Sequence, residues 1–299
     1  MENNGISLRG CFPPIATPFD EKDRVDHEHL TRNLKKWQKT PLKGFAVLGS
    51  NGEAVLLQEA EKVAVWQTAR AVIDADHIFI AGTGCESTRA TLDLTEKAAR
   101  VGADAAMVVT PHYYRGRMTH EALVHHYTAI ADHSPVPVIL YNVPASTGVD
   151  LPAETIIVLS RHPNIMGLKE SSGNVIKIGQ VCAAAESDFQ VLAGSGSFLL
   201  PALSVGAVGG IMALASVAPY QVDEIVQQVK QGAFHEAKKI QLRLLAANAA
   251  VTSRFGIPGL KAAMEMIGMY GGPVRAPLLP LTETERETLK KILEEAGIL

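Results

Sequence analysis

A single lysine ends a short apolar run in the middle of the chain, Asn-Ile-Met-Gly-Leu-Lys-Glu-Ser-Ser (164–172). The run is too short for a helix and is followed by turn residues, so it predicts a buried strand that ends at Lys169. Burial disfavours the ammonium form and leaves part of the lysine as free amine, which attacks carbonyl carbons to form a Schiff base. Taken alone, Lys169 favours the commoner arrangement, in which the stem packs and the amine reaches solvent.

Other strand ends change that interpretation. Hydroxyls, phenols and glycine-rich turns follow them in Gly-Ser-Asn-Gly-Glu (49–53), Thr-Pro-His-Tyr-Tyr (110–114), Tyr-Asn-Val-Pro (141–144) and Gly-Ser-Gly-Ser (194–197). The set suits carbonyl chemistry: Lys169 attacks a ketone, Tyr141 and hydroxyls move protons, and the amides of the 50–52 turn hold an anionic group. Each motif alone has an ordinary structural explanation. The combination predicts an active site, and it lacks the Asp/His cluster of a metal hydrolase.

Apolar runs alternate with helical patterns along most of the chain. The predicted strands cover 10–17, 44–49, 78–82, 105–109, 136–141, 165–169, 189–193 and 207–212, and the helices 25–39, 58–73, 87–101, 119–132, 152–160, 175–185, 197–205 and 219–231. Continuous apolar strands are typical of a parallel sheet buried on both faces. Eight such units predict a (β/α)8 TIM barrel, with chemistry at the carboxyl ends of the strands. A doubly wound open sheet is the rival, weakened because no GxGxxG follows the first strands.

Two domains are predicted. Residues 1–232 form the catalytic barrel, and residues 233–299 form a C-terminal three-helix extension with helices at 233–251, 257–267 and 282–296. No low-complexity linker separates the two parts. We therefore expect the extension to pack on the barrel.

Composition excludes several classes of protein. With 28 basic and 31 acidic residues, the formal charge is −3, which does not indicate a nucleic-acid partner. No apolar run is long enough for a membrane span, and the first residues do not resemble a signal or transit peptide. Three cysteines without metal-ligand spacing suit a reducing compartment, so we expect a cytoplasmic protein.

The order of these motifs resembles the dihydrodipicolinate synthase / N-acetylneuraminate lyase family of Schiff-base aldolases. The resemblance runs from about residue 10 to residue 299, and its pieces are Pro-Pro-Ile-Ala-Thr-Pro-Phe (13–19), Gly-Ser-Asn-Gly-Glu (49–53), Val-Thr-Pro-His-Tyr-Tyr (109–114), Leu-Tyr-Asn-Val-Pro (140–144), Gly-Leu-Lys-Glu-Ser (167–171) and Ala-Gly-Ser (193–195). Such a family implies the TIM barrel and no metal or organic cofactor, since the imine forms on the protein's own lysine.

Several loops look most similar to the 4-hydroxy-2-oxoglutarate aldolase branch, among them Gly-Cys-Glu-Ser-Thr (84–88), Arg-Phe-Gly-Ile-Pro-Gly-Leu-Lys (254–261) and Tyr-Gly-Gly-Pro (270–273). Dihydrodipicolinate synthases typically carry an arginine where this chain has Ser146. The change removes a bidentate carboxylate clamp. We therefore expect a class I aldolase that cleaves 4-hydroxy-2-oxoglutarate to pyruvate and glyoxylate.

The resemblance also implies residue roles. Lys169 matches the Schiff-base lysine, Tyr141 the general acid/base, and Ser50 the hydroxyl that links two tyrosines in a proton relay. The second tyrosine crosses a subunit interface in the family and matches Tyr113, with Tyr114 as the alternative if the loop register shifts by one. The residues expected to bind substrate are Ser50, Asn51, Ser171 and Gly194.

Alternatives remain open at this point. One is a 4-hydroxy-tetrahydrodipicolinate (dihydrodipicolinate) synthase, which condenses pyruvate with aspartate semialdehyde, and another is a 2-keto-3-deoxy sugar acid aldolase. A third, of a different class, is a non-catalytic keto-acid-binding protein on the same barrel, against which the presence of Lys169, Tyr141, Ser50 and Tyr113 argues. In every case the expected ligand is a small 2-oxo acid, and the interface tyrosine predicts a homotetramer built from dimers.

Overall fold

Eight parallel strands form the centre of the protein, whose computed structural model describes residues 5–299. They are β1 (Gly10–Phe12), β2 (Gly44–Val47), β3 (Ile78–Gly82), β4 (Ala105–Val109), β5 (Val138–Asn142), β6 (Ile165–Glu170), β7 (Gln190–Ala193) and β8 (Gly209–Ile211). The predicted absence of an N-terminal targeting segment concerns residues 1–4 in part, and these lie outside the described residues.

The strands follow one another around a barrel. The sheet order is β1-β8-β7-β6-β5-β4-β3-β2, and every neighbouring pair is parallel. The two edges meet where Pro14 bridges Ala46 and the Ile15 amide donates to the Ala46 carbonyl at 3.0 Å. The predicted (β/α)8 barrel is thereby confirmed.

Helices surround the barrel and continue beyond it. They are α1 (His27–Trp37), α2 (Glu59–Val72), α3 (Thr88–Val101), α4 (His120–His133), α5 (Pro144–Thr147), α6 (Ala153–Ser160), α7 (Val175–Ala184), α8 (Leu199–Ser204), α9 (Pro219–Lys230), α10 (Phe234–Ala249), α11 (Gly256–Met266) and α12 (Glu283–Glu295). The short α5 was not predicted. The first strand is shorter than predicted and ends before Pro13, because proline lacks the amide that a ladder needs. No helix in 5–299 is long and apolar enough to span a bilayer.

Alternation along the strands separates two apolar cores. Met107 and Ile139 belong to the core inside the barrel, whereas Leu140 and Leu168 belong to the core between strands and helices. Successive side chains point to opposite faces of a strand. The residue after each of these leucines therefore points into the barrel, at its carboxyl end.

The C-terminal helices contact the same end of the barrel. A π-helical segment, Ala250–Arg254, joins α10 to α11, so these helices are nearly continuous, although the sequence predicted separate helices at 233–251 and 257–267. From α10, Gln241 donates to the Gly196 carbonyl at 2.7 Å, and Asn248 accepts from the Gly196 amide at 3.1 Å. These bonds hold the extension against the turn after β7. The division at residue 232 stays a prediction.

Candidate active site

The β5–β6 pair brings the predicted lysine and tyrosine together. Its register sets Tyr141 beside Lys169. Lys169 is only 3% exposed, and its Nζ lies 4.0 Å from the centre of the Tyr141 ring. Within residues 5–299 the Lys169 amine has no ion pair. The site thus holds a buried amine against an aromatic face, with no carboxylate paired to it among the described residues.

Ser50 extends this pair toward β2. The residue opens a 3-10 turn, Ser50–Gly52, and its Oγ lies 3.1 Å from the Tyr141 hydroxyl. The turn is anchored from outside because Thr17 Oγ1 donates to the Gly52 carbonyl at 2.7 Å. A hydroxyl beside the phenol provides a route for proton movement at Tyr141.

Asn51 contributes an unsatisfied donor next to Ser50. Its Nδ2 is buried and has no hydrogen-bond partner among the described residues. A buried donor without a partner costs free energy. A ligand oxygen that accepted from this amide would remove that cost.

A cavity of about 340 Å³ opens at this end of the barrel, a volume sufficient for a small organic acid. Its wall includes Ser50, Tyr141, Val143, His112, Ser146, Lys62 and Ile257. His112 Nδ1 lies 2.8 Å from Glu86 Oε1. Sequence reasoning did not place Lys62 or Ile257 at the site. Lys62 lies in a helix without a chemical motif, and the 254–261 motif that contains Ile257 indicated a family branch and not a cavity wall.

Tyr113 is exposed and does not line the cavity of its own chain. It is 77% exposed and packs edge-to-face against Tyr114, with ring centres 5.1 Å apart. Glu86 holds the loop by accepting from the amides of His112 and Tyr113 at 3.0 and 2.8 Å. Among the described residues neither tyrosine forms a hydrogen bond with Ser50. The role of Tyr113 in a proton relay therefore stays a prediction.

Ser171 and Gly194 lie side by side at the ends of β6 and β7. A Cβ added to Gly194 would lie 1.9 Å from Ser171 Oγ, so only glycine permits this approach. Ser171 Oγ is buried without a partner in 5–299. Like Lys169 and Asn51, neither residue is among those that line the cavity. Their predicted contact with substrate therefore stays a prediction.

A buried charge cluster supports the Ser50 turn from the C-terminal extension. Glu53 is fully buried and forms an ion pair at 2.6 Å with Lys261 Nζ, while its other oxygen accepts from the Arg275 amide at 2.8 Å. Burial lowers the pKa of Lys261, and the Glu53 carboxylate opposes that shift. Arg275 also pairs with Glu61, and this hydrogen bond lowers the pKa of that carboxyl. The cluster joins parts of the chain too distant in sequence to be predicted together.

The sequence model of the Dihydrodipicolinate synthetase family matches residues 7–296. The chain therefore belongs to the dihydrodipicolinate synthetase family. Members are pyruvate-dependent class I carbon–carbon lyases that form a Schiff base between a lysine and pyruvate, without an external cofactor. Their substrates are pyruvate and small aldehydes.

Relatives in this family are similar to the protein over nearly its whole length. It is 34% identical to the 4-hydroxy-tetrahydrodipicolinate synthase of Methanothrix thermoacetophila, with 98% of each chain covered. The same enzyme of Methanosarcina barkeri is 32% identical, over 98% of this chain and 99% of that one. Among solved structures, the dihydrodipicolinate synthase of Acinetobacter baumannii in complex with pyruvate is 32% identical. It superposes with a TM-score of 0.93, over 98% of this chain and all of that one.

These relatives correct the predicted reaction. The expectation of a 4-hydroxy-2-oxoglutarate aldolase was wrong, because the relatives that match over the full length are named 4-hydroxy-tetrahydrodipicolinate synthase. A few short motifs and the serine at position 146 favoured the aldolase, whereas similarity over the whole chain favours the synthase. Ser146 is indeed in the cavity wall, but one wall position does not set the reaction.

Proposed function

We propose that this protein is a 4-hydroxy-tetrahydrodipicolinate synthase, which condenses pyruvate with aspartate semialdehyde. The buried Lys169 amine, 4.0 Å above the Tyr141 ring, is the observation that carries the chemistry. The choice of aldehyde rests on the full-length similarity to synthases. Three free cysteines accord with a cytoplasmic enzyme.

The proposed reaction begins when Lys169 Nζ attacks C2 of pyruvate. Tyr141 protonates the carbonyl oxygen, which leaves as water, and loss of a C3 proton converts the imine to an enamine. The enamine carbon attacks the aldehyde carbon, whose oxygen takes up a proton. The amino group of the semialdehyde then attacks the imine carbon, closes the ring and releases Lys169.

Other groups are assigned to binding and proton movement. Ser50 passes protons to and from Tyr141, over the 3.1 Å contact between their oxygens. Asn51 binds the carboxylate of pyruvate, because its amide is a buried donor without a partner in 5–299. Ser171, two residues after Lys169, and Gly194, which lies against it, are assigned to the path of the second substrate.

A substrate panel tests the proposal. The protein is incubated with pyruvate and either aspartate semialdehyde, glyoxylate or glyceraldehyde, and products are measured by mass spectrometry. We expect repeated turnover with aspartate semialdehyde and at least 100-fold lower kcat/KM with the others, as expected for a site built around one polar substrate. Formation of the pyruvate imine without turnover of the semialdehyde would refute the choice of aldehyde. No imine at all would favour a keto-acid-binding protein.

We propose further that the enzyme is a homotetramer built from dimers. Two sets of exposed apolar side chains support this. Val55, 86% exposed, lines the cavity, and Tyr113, 77% exposed, directly follows His112, which also lines it. Ile176 is 75% exposed on α7, whose Gly179 approaches Val205 at the end of α8. Contiguous exposed apolar surface marks protein interfaces, and these side chains are the candidates for such contacts.

A mixing experiment tests whether Tyr113 acts in a neighbouring subunit. Tyr113→Phe is expected to lower kcat about 100-fold, as for a lost proton-transfer group, and Lys169→Ala to be inactive. Mixed oligomers should regain activity, because the site with intact Lys169 receives an intact tyrosine from the other chain. Activity no greater than the sum of the parents, with mixed oligomers verified by native mass spectrometry, would contradict the assignment. The same mixture with Tyr114→Phe decides which tyrosine acts.

A further inference from the structure

Beneath the reactive pair, on the outer face of the barrel, lies a second pair in register. Asn142 and Glu170 are neighbours across β5 and β6, one residue beyond Tyr141 and Lys169. Because side chains alternate along a strand, the second pair points toward the helices. Both residues are fully buried. Polar groups in such a place require partners.

The Glu170 carboxylate has partners from three parts of the chain. Both carboxylate oxygens lie within hydrogen-bond distance of Asn142 Nδ2, at 3.0 and 2.9 Å, and Oε1 accepts from the Ser172 amide at 2.6 Å. The Lys177 ammonium, from α7, forms an ion pair with Oε2 at 3.1 Å. The carboxylate thus joins β5, the turn after β6 and α7.

Lys177 and Asn142 extend the contacts to the loop before α6. Lys177 is nearly buried, forms an ion pair with Asp150 and donates to the Leu151 carbonyl at 3.3 Å. Asn142 Oδ1 accepts from the Leu151 amide at 2.9 Å, and its Nδ2 lies 2.7 Å from Asp150 Oδ1. Two loops and two strand ends are therefore fixed by four side chains.

We propose that Asn142, Asp150, Glu170 and Lys177 form a positioning cluster, which holds the ends of β5 and β6 so that the Lys169 amine and the Tyr141 phenol keep their relative position. The proposal rests on the proposed function in one respect, since it takes Lys169 and Tyr141 as the reacting groups. It does not depend on the aldehyde.

A contribution to the stability of the fold does not by itself explain why charged residues occupy these buried positions. Buried ion pairs are often no more stable than well-packed apolar residues of similar volume, because desolvation offsets the Coulombic attraction. Their geometry is directional, however, and neighbours along a strand share one backbone. A displacement of Glu170 therefore displaces Lys169, and misplacement by about 1 Å can lower a rate about 100-fold.

Glu170→Gln and Lys177→Met test the cluster. We expect kcat per active site to fall at least 10-fold with KM for pyruvate within about threefold, because binding is preserved while alignment is lost. Active sites are counted by borohydride trapping of the pyruvate imine and peptide mapping of the lysine. Counting removes the effect of unfolded protein, so a merely structural role would leave kcat per site unchanged.

Asn164→Ala is the matched control. Asn164 precedes the other end of β6, where its Nδ2 donates to the carbonyls of Ala131 and Ser134 at 2.9 and 3.0 Å. This end of a barrel serves stability, so the control should lower the melting temperature and leave kcat per site within twofold of wild type.

If a single variant does not fold, the double variant Glu170→Gln/Lys177→Met leaves no unpaired charge from this pair and should still lose at least fivefold in kcat per site. Values within twofold of wild type for every folded cluster variant would overturn the inference. Failure of the wild-type protein to form the imine would instead refute the proposed function, so the two failures are distinguishable.

Discussion

Replacing Lys169 by methionine is expected to abolish turnover and imine formation together. Methionine keeps the apolar stem in its buried position but offers no nucleophile. Loss of an essential nucleophile in other enzymes lowers kcat by on the order of 10⁴-fold or more, so we expect a decrease of at least 10³-fold. Steady-state condensation of pyruvate with aspartate semialdehyde measures the first effect, and borohydride trapping with peptide mass spectrometry the second.

Lys62→Met provides the control for Lys169→Met. Lys62 is the lysine in the cavity wall, and a reactive amine there would also be trapped by borohydride. In Lys62→Met the pyruvate adduct should remain on Lys169, whereas in Lys169→Met no adduct should form although the fold is retained by circular dichroism. An adduct on Lys62 in the wild-type protein, or turnover by Lys169→Met, would show that the reacting amine is misassigned.

The proximity of Lys169 and Tyr141 could be predicted because it depends on local rules. A parallel barrel exposes the carboxyl ends of its strands at one face, so a lysine and a tyrosine that end neighbouring strands must approach one another. The structure indeed places Lys169 beside Tyr141. Ser50 follows by the same reasoning, since its turn ends β2. None of these inferences needs knowledge of distant contacts.

Other features could not be predicted, because they depend on packing between distant parts of the chain. The contact of Glu53 with Lys261 joins residues that no local pattern relates. Ile257 reaches the cavity only because α10 continues through a π-helical segment into α11. The prediction of the aldehyde substrate was wrong for a related reason. Serine in place of arginine at position 146 shows that one carboxylate-binding side chain is absent from the wall, but it does not identify the substrate that the whole cavity binds.

Lys261→Met is expected to lower the free energy of unfolding by about 3–5 kcal/mol, the effect of leaving one member of a buried ion pair without its partner. Glu53 is fully buried and, among residues 5–299, would retain only the Arg275 amide, at 2.8 Å, as a close donor. Chemical denaturation measures the change. The exposed Lys291→Met, on α12 of the same extension, is the control and should stay within about 0.5 kcal/mol of wild type.

The double variant Glu53→Gln/Lys261→Met separates unpaired charge from lost packing. With both charges removed, most of the stability lost in Lys261→Met should return, because a neutral pair of similar volume has no desolvated charge to compensate. A single variant within about 1 kcal/mol of wild type, or a double variant no more stable than the single, would contradict the prediction. Because the Ser50 turn directly precedes Glu53, recovery of stability without recovery of kcat would show that the charges also position Ser50.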